Sequence, residues 1–385
     1  MALKVARRGD VPPFFVMEVM RAAAERVASG ADVLHMEVGQ PATPAPEGAR
    51  QAAHAALESD LLGYTVALGI SPLREAIARH YQDRYGVAPD PARVVVTTGS
   101  SAGFVLSFLA CFEPGDRVAL AEPGYPCYRN ILGALGIEAV GLPVGHEDRY
   151  QPSVAMLEAL DKPVDGLILA SPSNPTGTMV SPEELAGLTA YCRDRGIRFI
   201  SDEIYHGITY GRPEATAVTF DDQAVVINSF SKYFSMTGWR IGWMVVPEEL
   251  LRPMERLAQN LYISAPTLSQ HAALAAFDCR LELDRHVATY AANRDLLMRE
   301  LPHAGFDRLS QPDGAFYIYA DVAHMTDDAD ALCRAILGAT GVAITPGIDF
   351  DPVRGARAVR FSYAGSTADM TQAAARLVGW RNGGL

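Results

Sequence analysis

The residue most suited to chemistry in this sequence is Lys232, one of only three lysines against thirty arginines. Lys4 lies in a polar N-terminal segment and Lys162 in a turn-like stretch, whereas Lys232 follows the apolar run 224–227. An amine that is desolvated or placed near other cations loses its proton more readily and attacks carbonyl carbons. We therefore predict that Lys232 forms an imine; an ordinary exposed lysine is the alternative.

Polar residues interrupt the chain at the ends of three successive strand-like runs. Asn174, Asp202 and Lys232 follow these runs at intervals of 28 and 30 residues, about the length of one βαβ unit. The carboxyl ends of parallel strands lie on one edge of a sheet, where ligands bind. We expect the three side chains to converge there, either as a reactive site or as a structural polar cluster.

A phosphate site is predicted at residues 94–103, which read as a strand, a glycine turn and a helix start. Free backbone N–H groups and the helix dipole favour an anion at such a place, although many turns of this type bind nothing. Ser229 and Arg240 add a hydroxyl and a guanidinium from the neighbourhood of Lys232.

The elements that must position these residues alternate between strands and helices from about residue 90 to 245, which predicts a parallel sheet. The strands are expected at Arg93–Thr97, Arg117–Ala121, Glu138–Leu142, Gly166–Ala170, Arg198–Ser201, Ala224–Asn228 and Ile241–Val246. The helices are expected at Ser101–Cys111, Pro126–Leu135, Pro182–Asp194 and Glu248–Asn260.

Both chain ends have a different pattern, typical of an α+β unit. An amphipathic helix is expected at 14–29, followed by a short strand ending at 39–41; a long helix is expected at 283–301, followed by strands. The prediction is a large domain at 46–282 and a discontinuous small domain from 10–45 and 283–385.

Composition narrows the classes of function. The net charge of −12 argues against nucleic acid or an anionic membrane as a partner. Five scattered cysteines without paired spacing suggest reduced thiols in the cytoplasm, and the N-terminus lacks the apolar region of a secretory signal. The nine histidines show no metal-binding spacing, so no metal site is predicted.

A lysine that forms an imine, a carboxylate and a phosphate site together describe a pyridoxal 5′-phosphate (PLP) site. The chain resembles the class I/II aminotransferases of the aspartate aminotransferase family, fold type I. The segments that carry this resemblance are 39–41, Tyr64 with Gly69 and 73–74, 123–126, 173–177, 201–205, 229–242 and 360–364. They follow the family's order over nearly the whole chain. The resemblance implies an α/β fold with a mostly parallel seven-stranded sheet in the large domain.

The resemblance also implies roles around the cofactor ring. Lys232 matches the imine-forming lysine, and Asp202 matches the partner of the ring nitrogen, which keeps the ring electron-accepting. Asn174 and Tyr205 match the donors to the 3′-oxygen. Tyr125 matches the aromatic that stacks on the ring, with a core tyrosine as the alternative.

The phosphate contacts implied by the resemblance are Ser100, Ser101, Ala102, Ser229 and Arg240. Ala102 departs from the family pattern, which often has a larger polar residue, so only its backbone N–H could contribute.

Other matched positions concern the substrate and a second subunit. Tyr64 matches a tyrosine that reaches the phosphate of the neighbouring subunit, which implies a homodimer with shared active sites. Arg360 matches the arginine that binds the substrate α-carboxylate, a task suited to its two-pronged guanidinium, with a surface ion pair as the alternative. Gly39 and Asn174 are expected to share that carboxylate.

The predicted activity is ping-pong transfer of an amino group from an L-amino acid to a 2-oxo acid, with Lys232 as general base. The apolar segments 14–16 and 260–266, the latter contributed by either subunit, favour a neutral or aromatic donor. Two alternatives remain: a C–S β-lyase of the same fold, which releases pyruvate and ammonia without an acceptor, and a non-catalytic PLP-binding sensor.

Overall fold

The computed structural model describes residues 3–383. Over this range the strands are β1 Leu34–His35, β2 Val94–Thr97, β3 Arg117–Glu122, β4 Glu138–Pro143, β5 Gly166–Ala170, β6 Arg198–Asp202, β7 Val225–Ser229, β8 Gly242–Val245, β9 Arg308–Leu309, β10 Tyr317–Asp321, β11 Val342–Ala343, β12 Thr345–Pro346 and β13 Ala358–Ser362. The helices are α1 Phe15–Ala28, α2 Glu47–Ser59, α3 Ser71–Tyr85, α4 Ser100–Cys111, α5 Pro126–Leu135, α6 Val154–Glu158, α7 Pro182–Arg195, α8 Glu248–Leu261, α9 Thr267–Ala276, α10 Arg280–Glu300, α11 Ala329–Thr340 and α12 Thr367–Asn382.

A seven-stranded sheet with the order β2-β8-β7-β6-β5-β3-β4 carries the predicted polar residues. Strands β3 to β7 pair in parallel, but β8 is antiparallel to both β7 and β2. The sheet is therefore mostly parallel, as the resemblance implies, and not parallel throughout. Segment 230–241 contains no α-helix, and parallel pairing needs a crossover connection that is usually helical.

Local signals define the helix ends that face this sheet. Helix α7 begins with a capping box, in which Ser181 and Glu184 satisfy each other's backbone N–H groups, and it ends at Gly196 in a left-handed conformation. Helix α5 has proline at its first position, which suits the fixed φ of proline. These signals explain why both helices begin at the residue expected from the sequence.

Helices cover both faces of the large sheet. On one face, Phe104 and Phe108 of α4 and Leu132 of α5 pack with Ile200 of β6 and Ile227 of β7 in a buried apolar cluster. A larger cluster fills the other face and continues into the four-stranded sheet of the C-terminal region. Because the sheet is buried on both sides, its central strands are continuously apolar until the polar residues at their ends.

Two smaller sheets lie outside this region of the chain. One is four-stranded with the order β12-β13-β10-β9, and in the other β1 pairs in parallel with β11, which joins the two ends of the chain. Strand β1 ends at His35, earlier than expected, because the Glu37 carbonyl accepts side-chain hydrogen bonds from Arg360 and Thr345. The division into a large and a small domain stays a prediction.

Within residues 3–383, no helix combines the length and the apolar character needed to cross a membrane.

Candidate active site

A cavity of about 250 Å³ opens at the carboxyl ends of β5, β6 and β7, where the sequence placed its polar residues. The predicted site residues that line it are Gly39, Ser100, Ser101, Tyr125, Asn174, Asp202, Tyr205, Lys232, Arg240 and Arg360. Asp202 is the last residue of β6, Asn174 follows the adjacent parallel strand β5, and Lys232 follows β7 on the other side of β6. Sheet geometry thus brings Asn174, Asp202 and Lys232 together, while Arg360, 321 residues after Gly39, reaches the same cavity from β13 of the four-stranded sheet.

Lys232 points its amine into this cavity. The Nζ donates a 2.6 Å hydrogen bond to the Gly39 carbonyl oxygen and lies 5.7 Å from the centre of the Tyr205 ring. Burial, together with the nearby charges of Arg360 and Arg240, lowers the pKa of Lys232 to about 8, while the carboxylate of Asp202 acts in the opposite direction. A substantial fraction of the amine is therefore neutral near pH 8, as a nucleophile or base requires.

Asp202 is 3% exposed at the end of β6, with both oxygens hydrogen-bonded. One oxygen accepts the Ile204 N–H at 3.1 Å, and the other accepts the hydroxyl of Tyr128. Burial raises the pKa of Asp202 to about 6, while these two donors act in the opposite direction. The pair of donors thus helps to keep a buried carboxylate ionised at neutral pH.

The N-terminus of α4 forms the anion-binding end of the cavity. Gly99 has φ +83°, and a Cβ there would lie 2.6 Å from Nη2 of Arg240, so the guanidinium packs directly against this turn. Ser100 and Ser101 line the cavity where the first N–H groups of the helix lack intrahelical partners. Backbone donors and one cation together suit a phosphate dianion.

Two of the expected phosphate contacts lie behind the cavity surface. The Ser229 hydroxyl donates to the Ile241 carbonyl at 3.1 Å and pairs with the Ser231 hydroxyl at 2.9 Å. Ser231, which the sequence analysis did not select, lines the cavity instead. Ala102 lies in the first turn of α4, and its side chain is not part of the lining.

Arg360 is a buried cation, 2% exposed on β13. Its Nη1 donates to Asn174 Oδ1 at 2.9 Å and its Nη2 to the Glu37 carbonyl at 2.5 Å, while its Nε has no partner. No carboxylate within residues 3–383 lies within 4.0 Å of this guanidinium. A buried, unpaired positive charge at a cavity wall is suited to an anionic ligand, because burial without a counter-charge is costly.

Two buried tyrosines complete the polar surroundings. The Tyr205 and Tyr317 hydroxyls lie 2.7 Å apart, and the Arg360 guanidinium lies 4.5 Å from the centre of the Tyr317 ring. Tyr125 caps the start of α5, with its ring edge-on to Tyr128 at 5.3 Å and to Phe14 at 6.1 Å. Tyr125 therefore presents an aromatic surface to the cavity.

The remaining wall is apolar and comes largely from the N-terminal segment. It consists of Phe14, Val16, Met17, Met20 and Val38. Asp349 caps α1, because its carboxylate oxygens each accept a backbone N–H at 3.2 Å, one from Phe15 and the other from Val16. Phe14 and Val16, from the segment 14–16 expected at the substrate side chain, line the same cavity as Arg360. Tyr262 and Ser264, from the other expected segment, 260–266, do not line it.

Tyr64 does not line the cavity. It is 84% exposed in the loop between α2 and α3, beside the exposed Leu61 and Val66. The loop is held against α9, where Thr267 donates to the Gly63 carbonyl at 2.6 Å. Tyr64 therefore faces outward, as a residue that serves another subunit would.

The polar groups of the cavity fit PLP. The helix start beside Arg240 suits its phosphate, the buried Asp202 suits its ring nitrogen, and the amine of Lys232 suits its aldehyde. The buried Asp202 carboxylate pairs with no cation among residues 3–383, which leaves its charge available to a protonated ring.

Sequence reasoning missed Tyr128 and Tyr317. Tyr128 lies one helical turn after Tyr125 on α5, and this spacing could have placed it on the same face. Tyr317 lies on a strand far along the chain, and nothing in its sequence neighbourhood distinguishes it from a core tyrosine.

A second cleft in the surface contains none of the predicted site residues. The cleft, of about 980 Å³, lies between α2, α3 and α9, and its polar residues include His80, Arg84 and Glu214. Across the part of the chain that the structure describes, no group of three or more His, Cys, Asp or Glu side chains is arranged to hold a metal.

Comparisons with known proteins agree with this geometry. Residues 31–377 match the model of the family described as aminotransferase class I and II. The valine–pyruvate aminotransferase of Mycobacterium tuberculosis is 52% identical over 381 residues, 98% of each chain. A crystal structure of an aminotransferase from Mycobacterium tuberculosis has a TM-score of 0.97 at 52% identity, covering 99% of this chain and 100% of that one.

A more distant structure shows the same fold. The aspartate aminotransferase of Thermus thermophilus, solved with maleate, has a TM-score of 0.93 at 28% identity and covers 98% of this chain and 100% of its own. The predicted α/β fold of type I is therefore confirmed, with its mostly parallel seven-stranded sheet.

Proposed function

The chain belongs to the class I and II aminotransferases, and from this premise we propose that it moves an amino group between a small apolar L-amino acid, such as valine, and pyruvate. It is a PLP-dependent enzyme that transfers an amino group to a 2-oxo acid. Its relatives are aminotransferases, so the β-lyase alternative is not favoured, and a non-catalytic sensor is not supported.

The observation that carries the donor class is the composition of the cavity wall. The charged residues of the wall are Asp202, Lys232, Arg240 and Arg360, and the rest of the surface around α1 is apolar. Each of the three cations already has a proposed partner in cofactor or α-carboxylate. A second carboxylate, as in aspartate, would meet apolar side chains and lose its hydration without compensation.

The experiment that tests the donor class is a single half-reaction. The holoenzyme is mixed with valine, leucine, alanine, phenylalanine or aspartate in turn, and the change in cofactor absorbance gives a rate for each. We expect valine to exceed aspartate by at least about 10²-fold, the size of two to three kcal/mol of lost contact. A preference for aspartate would contradict the proposal, and ammonia release without an acceptor would indicate a lyase.

When bound, PLP supplies an aldehyde that links to amines and a ring that accepts electrons from the donor's Cα. We propose that Lys232 provides the amine for that link and, once the donor's amine has replaced it, takes the Cα proton at Nζ and delivers it to the carbon that keeps the amino group. A positioned base of this kind contributes roughly 10²- to 10⁴-fold in rate. The lowered pKa of Lys232 supports this role, because the neutral amine is the reactive form.

The other side chains are proposed to hold and orient. Arg360 binds the α-carboxylate of both substrates, and its contact with Asn174 fixes the direction of the guanidinium. Asp202 holds the ring nitrogen protonated, Asn174 and Tyr205 donate to the ring oxygen, and Tyr125 covers the ring face. Since donor and acceptor use one carboxylate site in turn, the kinetics should be ping-pong.

We further propose a homodimer with shared active sites. The support is a set of exposed apolar side chains in the segments 57–66 and 261–263, namely Leu57, Leu61, Tyr64, Val66, Leu261 and Ile263. Exposed apolar side chains that lie together mark interfaces. One chain has a mass of 41.4 kDa, and light scattering should give twice that value. An active enzyme that is monomeric would refute the proposal.

Subunit mixing tests whether the sites are shared. If each site uses Lys232 of one subunit and Tyr64 of the other, a dimer of one Lys232→Ala chain and one Tyr64→Ala chain has one site with both defects and one intact site. Mixing two impaired variants should then restore up to about a quarter of wild-type activity. Sites contained within single subunits would show no recovery.

The domain boundaries and the cellular location also remain proposals. The pairing of β1 with β11 supports a small domain built from 10–45 and 283–385, beside a large domain at 46–282. The five cysteines are all free, which supports a reducing compartment such as the cytoplasm.

A further inference from the structure

Tyr317 on β10 contacts three groups of the proposed site at once. It is 1% exposed, and the only hydrogen-bond partner of its hydroxyl within residues 3–383 is the hydroxyl of Tyr205, at 2.7 Å. Its ring lies under the Arg360 guanidinium at 4.5 Å. Its hydroxyl also packs against Gly39, where a Cβ would lie only 1.8 Å from the oxygen.

The number of protons that each hydroxyl can donate decides the direction of the hydrogen bond between Tyr205 and Tyr317. A phenol has one proton to donate, so if Tyr205 donates to the cofactor oxygen, its own oxygen is left to accept from Tyr317. Linked hydrogen bonds polarise one another, so donation by Tyr317 makes Tyr205 a stronger donor. The Tyr317 hydroxyl thus acts on the cofactor only through Tyr205.

The ring of Tyr317 has a separate effect on Arg360. The guanidinium lies over the rings of both Tyr317 and Phe350, at 4.5 Å and 4.7 Å from their centres. Aromatic faces attract cations and fix the plane of the guanidinium. The hydrogen bonds of Arg360 to Asn174, to the Glu37 carbonyl and, at 3.5 Å, to the Thr345 hydroxyl then set its rotation within that plane.

We propose that Tyr317 is a positioning residue that serves both halves of the site, directing the Tyr205 hydroxyl toward the cofactor and the Arg360 guanidinium toward the substrate carboxylate. The proposal rests on the proposed roles of Tyr205 and Arg360. It assigns the hydroxyl to one task and the ring to the other, so the two can be separated by substitution.

The test uses holoenzyme variants and two readouts besides turnover. The first is the pH titration of the cofactor's visible absorbance, and the second is the dissociation constant of isovalerate, an unreactive carboxylate with an apolar side chain. Tyr317→Phe should raise the apparent titration pKa by about 0.5 pH unit, roughly threefold in the equilibrium, and leave isovalerate binding within about twofold. Tyr317→Leu should shift the titration similarly and weaken isovalerate at least about fivefold.

Tyr319→Phe is the matched control, because Tyr319 is buried on the same strand but lies outside the cavity lining. It should leave both readouts unchanged. A titration of Tyr317→Phe that coincides with that of Tyr319→Phe would overturn the role of the hydroxyl, and unchanged isovalerate binding in Tyr317→Leu would overturn that of the ring. A wild-type protein without a visible cofactor band would instead refute the proposed function itself.

Discussion

The amine of Lys232 donates a 2.6 Å hydrogen bond to the carbonyl oxygen of Gly39, 193 residues earlier in the chain. This contact aims the amine at the wall where the substrate carboxylate is proposed to bind. It also provides an acceptor for the protonated amine, which the nearby Arg240 and Arg360 would otherwise only repel. A backbone contact therefore holds the lysine amine at the cavity wall.

Replacing Lys232 by alanine should abolish steady turnover while leaving the phosphate contacts of the cofactor intact. The loss should be at least about 10²- to 10⁴-fold, the usual contribution of a positioned proton-transfer group. Turnover and borohydride-trapped cofactor, detected by mass spectrometry, provide the measurement. Lys162→Ala, which changes an exposed lysine, should behave as wild type, and a Lys232→Ala enzyme that turned over normally would remove Lys232 from the mechanism.

The pKa of Lys232, lowered to about 8, predicts how fast PLP attaches to the cofactor-free protein. The neutral amine is the reactive form, so below pH 8 the rate should fall roughly tenfold per pH unit, and above it the rate should level off. Stopped-flow absorbance from pH 6 to 10 measures this, with Lys232→Ala as the blank. A rate that kept rising to pH 10 would mean that the amine has an ordinary pKa.

Arg360→Lys should weaken both substrates together. A lysine keeps the charge but cannot donate in parallel to a carboxylate while bonding Asn174 and the Glu37 carbonyl. We expect kcat/KM to fall by about 10²-fold or more for the amino donor and for the oxo acid alike. Arg334→Lys, an exposed change on α11, is the control; a loss confined to one substrate would argue against a shared carboxylate site.

Tyr128→Phe should raise the pH at which kcat/KM falls on the acid side of the pH profile. The Tyr128 hydroxyl lowers the pKa of Asp202, which burial has raised to about 6. Without that donor the pKa rises further, so the carboxylate is lost at a higher pH as the solution is acidified. The pH dependence of kcat/KM measures this shift, and Tyr191→Phe, a tyrosine that packs on Arg195 away from the cavity, should leave it in place.

Gly39→Ala should disable the site without unfolding the chain. The added Cβ would lie 1.8 Å from the Tyr317 oxygen, so the loop or the tyrosine must move. A displacement of about 1 Å can cost roughly 10²-fold in rate. We expect a loss of that order in kcat/KM with little change in Tm, whereas Gly187→Ala, where a Cβ meets open space, should change neither.

The sequence was sufficient to predict the elements of the large sheet and the residues at its strand ends. Asn174, Asp202 and Lys232 could be placed together because strand direction and one crossover length determine where each strand ends. The resemblance implied a mostly parallel sheet, but the apolar run of β8 could not indicate its direction, because such a run looks the same in either direction. Pairing with both neighbours, and not local pattern, decides that direction.

The contacts that adjust the site were not predictable in the same way. The hydrogen bond from Tyr128 to Asp202 spans 74 residues and that between Tyr205 and Tyr317 spans 112. Each depends on how a helix or strand packs across the sheet edge, which no short sequence window records. The Glu37 contact of Arg360 uses a backbone carbonyl, so no residue type could indicate it.

The capping of α1 by Asp349 has a consequence for the length of side chain that the proposed substrate site accepts. Asp349 lies eleven residues before Arg360, in the same C-terminal segment that forms the four-stranded sheet. The apolar wall of α1 and the proposed carboxylate site at Arg360 are thus attached to the same C-terminal segment, and under this proposal the distance across the gap between them limits the length of the donor's side chain. One side of that gap is the N-terminal end of α1, which a single aspartate, Asp349, holds in place.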